Sequence, residues 1–173
     1  LIPIPTLLRI CLFGANPQDL PASRQVLIFT IASAMIILFI CYSALPGERN
    51  VMPLSVAHII AMGIVWVILL KFHNQLMRWY QSATAIYGCT SLINLAQLPV
   101  VLKLMQQTNG DVHDTIGSVA FVVMLMWIWE IAVVSRIIRQ TLEVQRFTSV
   151  MLSLTFTFAI HLALLQIFSH ARP

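Results

Sequence analysis

Gln25-Val26-Leu27-Ile28-Phe29-Thr30-Ile31-Ala32-Ser33-Ala34-Met35-Ile36-Ile37-Leu38-Phe39-Ile40-Cys41-Tyr42-Ser43-Ala44-Leu45 contains no charged side chain, and Pro46-Gly47 closes it. At 1.5 Å per residue, a helix of this length matches the roughly 30 Å hydrocarbon core of a bilayer. A backbone surrounded by lipid must satisfy its own polar groups, so the run predicts a spanning helix. Four more segments read the same way: about Pro53 to Leu70, Trp79 to Leu104, Thr115 to Ile138 and Phe147 to Phe168. The expectation is an all-α integral membrane bundle of five transmembrane helices over residues 25–173, preceded by a short interfacial segment over residues 1–24.

Composition points the same way. Of the 173 residues, 59% are hydrophobic and 9% charged. A water-facing domain carries about 25% charged residues, too many for this chain to match. The net charge of +4 forms no basic run, so nucleic acid is not an expected partner. Instead the basic residues mark orientation. Arg9, Arg24, Lys71, Arg78, Arg136, Arg139 and Arg146 fall on one side, and Arg49, Lys103 and Arg172 on the other, with Glu48, Asp111 and Asp114. That asymmetry predicts a cytoplasmic N-terminus and a periplasmic or outer C-terminus. Trp79 and Tyr80 fit an interfacial aromatic belt.

The first residues differ from the rest. Pro3, Pro5, Pro17 and Pro21 interrupt them, unlike a cleaved leader. Leu7-Leu8-Arg9-Ile10-Cys11-Leu12-Phe13 is too short to span and is expected to lie in the interface as an amphipathic helix. The stretch from Gly14 to Ser23 reads as a turn into the first span.

Glu130 is the side chain most in need of explanation. It sits in Met124-Leu125-Met126-Trp127-Ile128-Trp129-Glu130-Ile131-Ala132, where an acid costs about 2.5–3.5 kcal/mol to insert. It is either a proton or ion site or a buried contact to another subunit, or else a protonated or hydrogen-bonded carboxyl that fixes helix packing. Arg78, near the same membrane face, is a candidate partner. The third segment carries Gln81, Ser82, Thr84, Ser91, Asn94 and Gln97, which would be costly against lipid, so it should form the centre of the bundle. Its hydroxyls and amides are expected to bond across to neighbours, with small residues allowing close approach. Pro99 frees a carbonyl near Leu95, for a neighbour or for water in a cavity.

His58 and His161 fall at similar depth, and two such imidazoles are low-weight candidates for haem ligands. Polar histidines near the interface explain them more simply, and no cofactor is expected. Asp111-Val112-His113-Asp114 has metal-ligand residue types but no cage spacing; Asp114 serves as a helix N-cap, and no metal is expected. Cys11, Cys41 and Cys89 show no metal spacing. Arg136, Arg139 and Arg146 are expected at lipid headgroups. No nucleophile elbow, phosphate loop or zinc-protease motif appears, and no enzyme is expected.

Two stretches carry a resemblance. One is Ala85-Ile86-Tyr87-Gly88-Cys89-Thr90-Ser91-Leu92 followed by Pro99. The other is Trp127 with Arg136 and Arg139 before an Ala- and Leu-rich last helix. Together with five helices in an N-in, C-out arrangement, they resemble the Yip-domain family, the Ypt/Rab-interacting membrane proteins and their bacterial relatives. The likeness covers residues 25–168. It implies a bacterial-type inner-membrane protein with no established enzyme role and with partners in the membrane. The leading expectation is a non-catalytic scaffold or accessory subunit acting through helix-mediated association, with the bilayer and either another membrane protein or a second copy as partners. The rival expectations are a small proton-coupled carrier centred on Glu130, Asn94 and Gln97, and a haem-bearing electron-transfer subunit.

Overall fold

The computed structural model describes residues 3–44, 50–107 and 113–169, all in helices and their connections, with no strand among them. The helices are α1 (Ile4–Cys11), α2 (Arg24–Ser43), α3 (Val51–Phe72), α4 (Trp79–Gln107), α5 (His113–Leu142) and α6 (Arg146–Ser169). Single 3-10 turns at Pro17–Asp19 and Leu76–Arg78 lead into α2 and α4. Glu48, Arg49, Asp111 and Arg172, used above to weigh orientation, lie outside the described residues.

Four stretches are long and apolar enough to cross a membrane: α2, α3, Phe121–Leu142 of α5 and Arg146–Leu164 of α6. This is the composition of a multi-pass membrane protein. Their outward faces carry side chains such as Phe29, Ile36, Ile60, Ile64, Phe158 and Leu162, all exposed. In water such a surface would be an aggregation site. The fifth expected span, α4, has the length at 29 residues but is not among the four apolar stretches. The reason is its polar content, and the fold shows where that content goes.

α4 is the central helix, packed against α1, α2, α3 and α5. Every residue from Ser82 to Ser91 is buried. The hydroxyl protons stay local, while the Ser82 oxygen and the Gln81 amide do bond across to neighbours. Ser82 donates to the Arg78 carbonyl, Thr84 to Tyr80 and Ser91 to Tyr87, each one turn back on the same helix. A serine or threonine in a helix reaches its own i−4 carbonyl, which satisfies the hydroxyl without a neighbour. Aromatic side chains make the crossings to α3. The Tyr87 hydroxyl donates to the Ile59 carbonyl at 2.8 Å, and the Trp66 indole N–H to Ser82 Oγ at 3.1 Å. Gly63 makes the first possible, because a Cβ there would lie 2.7 Å from Tyr87 Oη.

The N-terminal helix, expected in the membrane interface, packs one face against the bundle. Leu7, Ile10 and Cys11, spaced i, i+3, i+4, form one buried face of α1. That face seats on α4 at Gly88, where an added Cβ would come within 2.7 Å of both Leu7 δ-methyls. Gly88 lies nine residues into α4, about 13 Å along its axis from Trp79. A glycine groove, invisible in the segment's own sequence, draws it inward. The opposite face of α1, with Ile4, Leu8 and Leu12, is exposed and apolar. α1 ends with Phe13 at φ 60°, and Gly14 N–H then closes on the Arg9 carbonyl at 2.7 Å.

Polar contacts fasten the rest of the segment. The Gln81 amide donates to the Gln18 and Leu20 carbonyls at 3.2 and 2.9 Å. The Gln140 amide donates to Asn16 Oδ1, and the Trp129 indole N–H to the Cys11 carbonyl at 3.0 Å. Residues 12–23 thus bridge α4 and α5.

Candidate functional site

Residues from five helices converge on one cavity of about 300 Å³ inside the bundle. Each helix contributes positions on a single face. α5 supplies Val123, Trp127, Glu130 and Val134, spaced i, i+4, i+7, i+11; α4 supplies Thr90, Asn94, Gln97 and Leu98. α2 adds Leu38, Cys41 and Tyr42, α3 adds His58 and Met62, and α6 adds Phe156, Thr157, Ile160 and His161. Neither Pro99 nor Leu95 lines the cavity, and both are exposed on another side of α4.

Five of the residues singled out in the sequence meet here: Glu130, Asn94, Gln97, His58 and His161. They come from four different helices, and the sequence does not show that they share one space. The polar groups are unevenly satisfied. His58 Nδ1 and the Tyr42 hydroxyl are 2.6 Å apart. His161 Nδ1 lies 2.8 Å from the Thr157 carbonyl. A carbonyl only accepts, so His161 Nδ1 carries the proton, and in the neutral ring Nε2 keeps its lone pair. The Gln97 Nε2 is buried and has no hydrogen-bond partner. The Glu130 carboxyl has no hydrogen-bond or ion-pair partner among the described residues, and no lysine or arginine lines the cavity. A half-buried acid left this way is costly when ionised, and a bound counter-charge or proton would offset that cost.

The aromatic components were less legible. Tyr42 sat inside an otherwise apolar run, its hydroxyl the only clue. Trp127 entered only through the family resemblance, yet its ring lies 5.5 Å from that of His161. Both border the cavity and are themselves exposed, so they mark its lip.

Arg78 is elsewhere. It donates to the Thr141 carbonyl at 3.0 Å and the Gln140 carbonyl at 3.4 Å, and pairs with Glu143 at 2.6 Å. Those carbonyls end α5, where a cation is favoured by the helix dipole. Glu130 is ten or eleven residues back along α5 from these carbonyls, about 16 Å along its axis, so Arg78 is not its partner. Arg136 is not a free headgroup ligand either: its guanidinium lies 5.7 Å from the Phe13 ring centroid, and its Nε is buried without a hydrogen-bond partner. Arg139 is half-buried, and Arg146 is exposed at the start of α6.

The two histidines do meet, but as a ring pair. Their centroids are 6.2 Å apart with planes at 74°, within the range of edge-to-face contact. Among the described residues, no three His, Cys, Asp or Glu side chains group as a metal site.

No family model, curated protein or solved structure matches this chain. Its function has to be argued from the cavity itself.

Proposed function

We propose that this chain is a five-span integral membrane protein of the bacterial inner membrane that acts, without catalysis, as a small carrier built around Glu130. In this reading α4 is the fifth span. It can be polar because α1, α2, α3 and α5 cover it, so lipid meets little of it. The N-terminus is cytoplasmic and the C-terminus periplasmic, on the charge asymmetry of the connections. The outward apolar face of α1 then meets lipid while its inner face holds α4.

One observation carries the reading: Glu130, without a partner among the described residues, opens into a cavity that also gathers two amides and two imidazoles. Scaffolding by helix association needs no such space, since packing would close it. The Yip-like pattern of residues is compatible with either function.

Cys41 provides the test, because it lines the cavity while Cys11 and Cys89 are buried elsewhere. Thiol alkylation requires the thiolate and hence water at the sulfur. In proteoliposomes, iodoacetamide should label Cys41 selectively, as mapped by peptide mass spectrometry. If Cys41 stays unmodified while the unfolded chain labels fully, the cavity is closed to water and helix association becomes the better account.

A further inference from the structure

The chemistry of the cavity wall specifies a class of ligand, on the footing that the cavity is a binding site at all. Among the described residues, its sole acid is Glu130, and no lysine or arginine of the wall neutralises that acid. His161 adds a lone pair at Nε2, because its Nδ1 proton is committed to the Thr157 carbonyl. Asn94 and Gln97 add amide oxygens as acceptors, while the buried, unpartnered Gln97 nitrogen is a donor. Among the described residues the wall thus offers acceptors at Glu130, His161 and the two amide oxygens, and no fixed positive charge. An anion would meet the Glu130 carboxylate with no cation to hold it.

The remaining wall is apolar or aromatic. Phe156, Ile160, Met62 and Leu38 offer hydrocarbon, and the rings of Tyr42 and Trp127 offer electron-rich faces to a cation. A bare metal ion prefers a shell of several oxygens and has no use for this hydrocarbon. A cavity of about 300 Å³ is at the small end of ligand pockets. Trp127 and His161, exposed at its lip, leave a way in from the side of the bundle.

We propose that the cavity binds a small protonated alkylamine. The Glu130 carboxylate is its counter-ion, His161 Nε2 and the α4 amides accept its N–H groups, and the alkyl chain lies against Phe156 and Ile160. Three hydrogens on an ammonium match an acceptor-lined wall, and the apolar tail explains why so much hydrocarbon surrounds one acid.

The test uses the whole chain in proteoliposomes with n-butylammonium, butyrate and 1-butanol as probes, three compounds of similar size and different charge. The readouts are the rate of Cys41 alkylation and, in detergent, the thermal unfolding midpoint. n-Butylammonium at ten times its dissociation constant should slow alkylation about tenfold and raise the midpoint, since occupancy stabilises the folded state. Butyrate and butanol should do neither. Glu130→Gln should abolish the effect and Glu130→Asp should retain part of it. Val123→Trp, which fills the cavity without touching the acid, should also abolish it. If Cys41 is reactive and n-butylammonium fails to protect it, or butanol protects as well, the amine assignment is overturned while the cavity remains a water-reached site. If Cys41 is unreactive from the start, the cavity reading itself falls, and this assignment with it.

Discussion

The two δ-methyls of Leu7 occupy the space that a side chain on Gly88 would need, each 2.7 Å from the position of its Cβ. This contact joins the N-terminal helix to the middle of the central one. Gly88→Val should force α1 off α4 and expose Cys11, which is 2% exposed in the native fold. The loss expected for an overfilled contact is about 1–3 kcal/mol. Iodoacetamide labelling of Cys11 and the unfolding midpoint would both report it. Leu7→Ala makes room opposite, so Leu7→Ala combined with Gly88→Ala should cost less than the sum of the two single changes. Strict additivity would mean the two residues do not touch.

A similar fit holds α3 to α4. Gly63→Ala would place a methyl 2.7 Å from Tyr87 Oη, and must displace the hydroxyl from the Ile59 carbonyl. Tyr87→Phe alone removes that hydrogen bond, at a cost of about 0.5–1.5 kcal/mol. In the Tyr87→Phe background, Gly63→Ala should be better tolerated, because the oxygen it collides with is gone. Thermal midpoints of the four proteins form the cycle that checks this.

Trp129 ties the helix that carries Glu130 to the N-terminal segment through the Cys11 carbonyl. Trp129→Phe keeps much of the ring and removes the N–H. It should destabilise the docked segment by about 1 kcal/mol, as one lost hydrogen bond does. Cys11 labelling should rise in proportion. Added to Gly88→Val, where α1 is already displaced, the same substitution should have little further effect.

At the far end of α5, Arg78 and Glu143 are bonded at 2.6 Å but are not equivalent. The Glu143 side chain is 62% exposed, and an exposed ion pair contributes roughly 0–1 kcal/mol and weakens with salt. Glu143→Gln should therefore be nearly silent at high ionic strength. Arg78→Leu should cost clearly more at any ionic strength, because it also removes the donor to the Thr141 carbonyl and one of the two donors to the Gln140 carbonyl. Midpoints across a salt series separate the two effects.

The sequence alone determined the material of this protein. Uninterrupted apolar runs with few charges fix α2, α3 and the apolar parts of α5 and α6, because a helix in lipid is a local, self-satisfied structure whose length the bilayer sets. It also placed α4 at the centre, since its hydroxyls and amides could not all face hydrocarbon. Tertiary structure alone decided which faces meet. α2, α3 and α6 are apolar on every side, so periodicity gives no indication of how each is rotated about its axis. Rotation decides whether Glu130, Asn94, Gln97, His58 and His161 are scattered polar residues or one cavity. The docking of α1 was hidden for a related reason: its determinant is a groove at Gly88, 81 residues away from Leu7 in the chain. Side-chain complementarity between distant helices is a property of the packed bundle and leaves no local pattern to read.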